Sequence, residues 1–145
     1  MARDTRQYDP GQVITNIGGR DVTGYAPGTF VELKRNKEAF TISVGSDGEI
    51  TRVKSQDRSG TIKVTLKQDS PLNDYFSSLA TQDERTSDAA VPGIVKDANG
   101  TTLGSAQKLW VKKKPDTAFS DASENREWEF ETGFLDLTIG GENLL

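Results

Sequence analysis

The segment from Gly45 to Ala80 constrains the fold most, because it reads as a turn, two strands and an amphipathic helix in direct succession. Gly45-Ser46-Asp47-Gly48 lies between Phe40-Thr41-Ile42-Ser43-Val44 and Glu49-Ile50-Thr51-Arg52-Val53, and period-two alternation about an Asp-Gly turn predicts a β-hairpin. After the polar bend Lys54 to Gly60, the run Thr61 to Lys67 places Ile62, Val64 and Leu66 on one face and Thr or Lys on the other, which is the pattern of a half-buried strand. Ser70 then offers a capping hydroxyl, and Pro71 takes the first helical position, where its missing N–H costs nothing, so a helix is predicted over Ser70 to Ala80. Leu72, Tyr75, Phe76 and Leu79 fall at i, i+3, i+4 and i+7, one stripe that has to lie on a sheet.

The rest of the chain continues the β pattern. Val13 to Ile17 reads as a short strand ended by the turn Gly18 to Asp21, and Thr29 to Arg35 reads as the next strand, with Asn36-Lys37-Glu38 linking it to the hairpin. The polar stretch Thr81 to Ala90 reads as a loop. Gly93 to Lys96 and Thr101 to Leu103 form a second predicted hairpin about Asp97-Ala98-Asn99-Gly100, followed by a separate strand Ala106 to Lys114, a loop to Asn125, and the alternating strands Glu127 to Glu131 and Leu135 to Ile139. Eight to ten strands and one helix predict an all-β sandwich or barrel-like fold with the helix packed on a sheet. The 145 residues fit one domain, 1–145, in which residues 1–12 read as an N-terminal arm that a partner must hold.

Several chemistries are excluded by what the chain lacks. With no cysteine there is no disulfide framework, thiolate nucleophile or cysteine zinc site, and with no histidine the commonest general base and metal ligand is missing. The polar start Met1 to Gln7 does not read as a signal peptide, and no run approaches the about 20 apolar residues of a membrane helix. Only 33% of residues are apolar, which suits a subunit that completes its burial against neighbours as well as it suits a small β domain. Charge is uneven: residues 1 to 114 hold 17 basic against 14 acidic side chains, and residues 115 to 145 hold Arg126 alone against eight acids. An acidic whole argues against tight nucleic-acid binding.

The short motifs read mostly as architecture. Asp97-x-Asn99-Gly100 resembles the front of a calcium loop, but Lys108 stands where the closing glutamate belongs, so it is read as a hairpin turn. Asp47 and Glu49 are read as solvated turn carboxylates, and Gly18-Gly19 lacks the strand-to-helix setting of a phosphate loop. Lys112-Lys113-Lys114 beside Trp110 offers a stacking platform for single-stranded nucleic acid, yet three lysines ending a strand more often guard a sheet edge.

The run Gly45 to Ala80, with Tyr8-Asp9-Pro10, Gly24-Tyr25-Ala26, the turn Asp97 to Gly100 and the late aromatic strand at Arg126-Glu127-Trp128, resembles the tail tube proteins of contractile-tailed bacteriophages over most of the chain. The order of elements carries the resemblance. It implies a phage tail-tube-like fold and a structural subunit with no catalytic residues and no cofactor. It implies hexameric rings whose strands join into an inner barrel and stack into a tube for DNA and the tape-measure protein, within the virion and assembled in the host cytoplasm. Sheath, tail terminator and baseplate proteins are the further partners implied, with no membrane. By analogy, ring stacking falls to Tyr8 and Pro10 of the arm, to Asn36 and Lys37, and to Lys54, Asp57 and Arg58 of the bend.

Glu127, Glu129 and Glu131 are the distinctive cluster, because alternation sets all three on one face of a strand whose other face holds Trp128 and Phe130. They read either as a wet outer face paired with lysines of the next strand or, under the resemblance, as an acidic lumen wall that does not hold DNA. Two other functions stay open. One is the inner tube of a phage-derived injection or secretion device. The other is a monomeric β-sandwich binding carbohydrate or a host surface, favoured if Trp110, Tyr25 and Tyr8 share an exposed rigid face. An enzyme is the weakest reading.

Overall fold

The computed structural model describes residues 5–141; of the arm expected over 1–12, residues 1–4 lie outside them. A single 3-10 turn, Pro10–Gln12, opens the ordered elements: Asp9 caps it by accepting from the Gly11 N–H at 2.9 Å, and the Gln12 carbonyl accepts from Ala98 N–H at 2.9 Å. Ten strands and one helix follow, β1 (Val13–Ile17), β2 (Arg20–Asp21), β3 (Val31–Arg35), β4 (Phe40–Val44), β5 (Ile50–Lys54), β6 (Gly60–Lys67), α1 (Leu72–Thr86), β7 (Val91–Asp97), β8 (Leu103–Lys113), β9 (Asn125–Thr132) and β10 (Asp136–Thr138).

Eight strands form one sheet in the order β2-β1-β7-β8-β9-β6-β3, with β10 on β8, while β4 and β5 pair only with each other. Every pairing between these strands is antiparallel, as expected of a chain rich in hairpin turns. β8 is one long strand and not the two predicted. Its first residues pair with β7 on one side and β10 on the other, and its last residues pair with β9. Gly104, the apparent break in the pattern, sits in the ladder because a Cβ there would press on Leu33 Cδ1 at 3.0 Å. The sheet thus curls until edge strand β3 meets the β9–β10 junction, where Arg35 donates through Nε and Nη2 to the Leu135 carbonyl at 3.1 and 2.7 Å.

Alternation decides which side of the sheet is dry. Ile62, Val64 and Leu66 of β6 and Trp128 and Phe130 of β9 are buried under α1, with Phe76 of the helix edge-on to both aromatic rings at 5.6 and 4.9 Å. The Trp128 indole N–H finds Asn73 Oδ1 at 2.9 Å, so a polar handle is satisfied at the rim of the core. Ser70 does cap the helix, accepting from Leu72 N–H at 3.4 Å while its own hydroxyl donates to the Thr23 carbonyl at 2.7 Å. The helix runs six residues past the predicted end, through the polar stretch read as a loop, and stops where Ser87 turns left-handed at φ 55. That last turn is polar and on the outer side, so an apolar stripe could not announce it. Arg20-Asp21, read as turn, instead pairs with β1 beyond the Gly18-Gly19 turn.

Candidate functional site

Five of the seven residues placed by analogy at a stacking surface gather at one joint. β3 and β6 form one antiparallel pair and β4 and β5 continue it outward, so the four strands make a long hairpin interrupted once, at 36–39 on one arm and 55–59 on the other. Two backbone bonds lock the interruption, Asn36 N–H to Ser59 O at 3.1 Å and Ser55 N–H to Ala39 O at 2.8 Å. Asn36 adds its side chain, donating to Ser59 Oγ at 3.0 Å and accepting from Thr61 Oγ1 at 3.1 Å. Asp57 accepts from Ser59 N–H at 2.9 Å, and its hydrogen bonds to Ser59 hold the carboxyl below its ordinary value. Arg58 bridges in parallel to Phe134, and its carbonyl accepts from Leu135 N–H at 2.9 Å, tying the joint to the body. Lys37 and Lys54 are exposed beside it. Tyr8 and Pro10 lie elsewhere, Tyr8 over a groove with Phe30, Val31 and Val95 and Pro10 at the start of the 3-10 turn.

Beyond the joint every residue of the β4–β5 hairpin strands is exposed, and none of the described residues covers either face. The register sets Phe40, Ile42 and Val44 on one face opposite Lys54, Arg52 and Ile50. Ile42, Val44 and Ile50 are 70%, 65% and 70% exposed, against 0% for Ile62, Val64 and Leu66 in the adjoining strand. The Arg52 guanidinium lies 4.0 Å over the Phe40 ring, the main shelter that face receives. Sequence reasoning missed this stripe as a surface. The signal was present: counting outward from the Asp-Gly turn sets Ile42 against Arg52 and Phe40 against Lys54, and a core face does not alternate apolar with cationic partners.

Glu127, Glu129 and Glu131 share one face of β9, as alternation requires, and each meets a lysine of a neighbouring strand. Lys63 of β6 reaches Glu127 at 3.1 Å and Glu129 at 3.8 Å, and Lys112 of β8 reaches Glu131 at 3.7 Å. The Glu127 hydrogen bond, then its charge, pushes the Lys63 ammonium above its ordinary value. Glu32 of β3, directly opposite Lys63, extends the same face. The result is a flat field of alternating signs, on the side of the sheet away from α1.

The three aromatics that a surface-binding module needs together are dispersed. Tyr25 stacks on Phe30 at 4.8 Å against the core, Tyr8 is 62% exposed, and Trp110 borders a different groove with Phe134 and Lys108. Among the described residues no three acidic side chains are grouped to hold a metal ion, and no helix is long and apolar enough to cross a membrane.

Residues 11–140 match the family described as Bacteriophage PhiTE tail tube protein. The Structural protein ORF10 of Pseudomonas phage KPP10 is 28% identical over 136 residues, 88% of this chain and 79% of that protein. Among solved structures, the sheath/tube terminator of the extracellular contractile injection system PVC superposes with a TM-score of 0.60 at 11% identity, covering 93% of this chain and 99% of that one. A chain of the PVC sheath-tube complex gives 0.57 at 11% identity, with 91% of each covered, and the tube terminating cap of the anti-feeding prophage gives 0.55 at 8%, with 94% and 95% covered. At these identities the structural likenesses establish the fold.

Proposed function

The chain belongs to the Bacteriophage PhiTE tail tube protein family, a structural and not an enzymatic family, and from that premise we propose that its copies close into hexameric rings and that the rings stack into a conduit for DNA and the tape-measure protein. One observation carries the assembly: the β4–β5 hairpin projects with its apolar side chains in water. A two-stranded hairpin is marginal alone, and an uncovered apolar strand pair invites association. A tube is built of many copies of one chain, so the cover is another copy.

Ring closure falls to sheet edges. β3 pairs with β6 on one side only, so its outer edge is free to extend the sheet into a neighbour, and a closed barrel leaves no edge. Stacking falls to the joint at Asn36, Lys37, Lys54, Asp57 and Arg58 and to the arm at Tyr8 and Pro10, in a single domain spanning 1–145. The lumen wall is the face of β9 that carries Glu127, Glu129 and Glu131. Its lysines are already paired with carboxylates, so they neutralise few passing phosphates and release few of the DNA's counterions, and DNA slides. Sheath, tail terminator and baseplate proteins complete the tail, which is assembled in the host cytoplasm. The tube of an injection device is the second reading, favoured by the likeness to components of contractile injection systems.

Negative-stain electron microscopy with light scattering at rising protein concentration tests this reading. Rings or tubes with a central hole are expected. Monomers that persist even with tail-initiating proteins present overturn it.

A further inference from the structure

Arg126 is a core-facing residue, and among the described residues no carboxylate pairs with its charge. It stands opposite Leu66 on β6 and two residues before Trp128, on the side of β9 that α1 covers. Its Nη1 is closed off from solvent and has no hydrogen-bond acceptor, and the contact its guanidinium does make is with the Phe119 ring at 5.5 Å. Lys114 shares the same cleft, about 320 Å³, between the start of α1 and the start of β9. Its ammonium rests on Thr81 Oγ1 at 3.1 Å, whereas neighbouring Lys113 has taken Asp116 at 3.3 Å. Asp74 borders the cleft but lies within ion-pair distance of neither cation, so among the described residues no carboxylate neutralises Arg126 or Lys114. The Arg126 guanidinium and the Lys114 ammonium thus line one cleft with no described carboxylate paired to either, and two cations bordering one cleft favour an anion there.

We infer that this cleft receives a carboxylate from a second copy of the chain, delivered by the Asp47–Glu49 tip of that copy's β4–β5 hairpin. The inference rests on the tube reading above. Its position favours a protein carboxylate over a nucleic-acid phosphate, because Arg126 and the Glu127–Glu131 row lie on opposite sides of β9. The tip is complementary in charge and in its flanking apolar side chains. Asp47 and Glu49 are its two charges, and Asp47 commits one oxygen, Oδ1, to the Glu49 N–H at 3.1 Å. Exposed Val44 and Ile50 flank them, and Phe119, 81% exposed, stands beside the cleft to meet those side chains. The acidic tip thus supplies what the cleft lacks, and the cleft covers what the hairpin leaves bare.

Charge exchange at exposed positions tests this without disturbing the core. Lys114→Glu alone, and Asp47→Lys with Glu49→Lys, should each raise the concentration needed for assembly by about tenfold or more, and the three together should return it to within about threefold of the wild type. Arg126→Lys, checked for native circular dichroism, should weaken assembly while leaving a folded monomer. Assembly at the wild-type concentration in both charge-reversed proteins, or no recovery on combining them, overturns the pairing while leaving the tube reading standing. A wild type that never assembles removes both.

Discussion

The β6–β9 pair and the β4–β5 pair are both antiparallel ladders of alternating side chains, yet the apolar side chains of one are buried and those of the other stand in water. Ile62, Val64, Leu66 and Phe130 are at 0% exposure, whereas Ile42, Val44 and Ile50 are at 65% or more. Strand propensity does not separate them, since β6, like β4 and β5, is rich in β-branched residues, and β9 adds the strand-forming aromatics Trp128 and Phe130. What separates them is the surface laid across them: α1 with Phe76 over the first pair, and none of the described residues over the second. Alternation therefore specifies a face that needs cover without saying whether the cover comes from the same chain.

The sharpest way to break the contrast is to remove the cover where it exists. Phe76 is fully buried, edge-on to Trp128 and Phe130, and Phe76→Asp adds a buried charge to the loss of a ring whose truncation alone costs about 3 to 5 kcal/mol. Against a domain stability of about 5 to 15 kcal/mol the variant should fail to fold, read as loss of soluble protein and of a cooperative thermal transition. A second, smaller effect is expected where the curled sheet is latched. Arg35→Met removes both bonds to the Leu135 carbonyl and should cost about 1.5 to 3 kcal/mol in urea denaturation.

The uncovered pair should respond in the opposite sense. Ile42→Lys changes a side chain that is 70% exposed, so the monomer's stability should move by no more than about 0.5 kcal/mol while assembly is lost. If Ile42→Lys instead unfolds the monomer, the hairpin is a structural part of the subunit and the contrast between the two regions collapses. Thermal melts and light scattering on the same sample separate the two outcomes.

Much of this organisation was legible from the residues. The Asp-Gly turn, the alternating strands, the Ser70 cap and the helical stripe each follow a local rule, and each appears where the rule puts it. The joint between the two hairpin pairs was legible as the bend Lys54 to Gly60, because its Ser and Asp residues bond their own backbone and interrupt a ladder. Long-range features were not. Nothing local distinguishes a strand break at Gly104 from a close approach by Leu33, a residue far away in the chain that only the folded sheet brings alongside. The continuity of β8 and the position of Arg126 belong to the same class, because both depend on which strands become neighbours.

The joint itself offers the smallest and most local test, since it is where the covered and uncovered pairs meet. Asp57 is exposed, and its depressed carboxyl pKa comes first from the side-chain hydrogen bond to Ser59, then from the backbone bond to the same residue, with a lesser contribution from the charge of Lys37. A carboxyl held below its unfolded value of 3.8 contributes in full above that value, and the contribution disappears as pH falls through the folded-state value. Acid should therefore loosen the 55–59 side of the joint at a pH where the β6–β9 core, which holds no carboxylate on its α1-facing side, is still intact. Following the Ser59 amide by NMR as pH is lowered should give a midpoint below 3.8, and Asp57→Asn should abolish that transition while leaving the Phe130 and Trp128 signals unchanged. A midpoint at or above 3.8 would mean that the Asp57 carboxylate does not hold the turn, and that the joint is held by the Asn36 bonds, the Ser55–Ala39 bond and the Arg58–Leu135 bond without it.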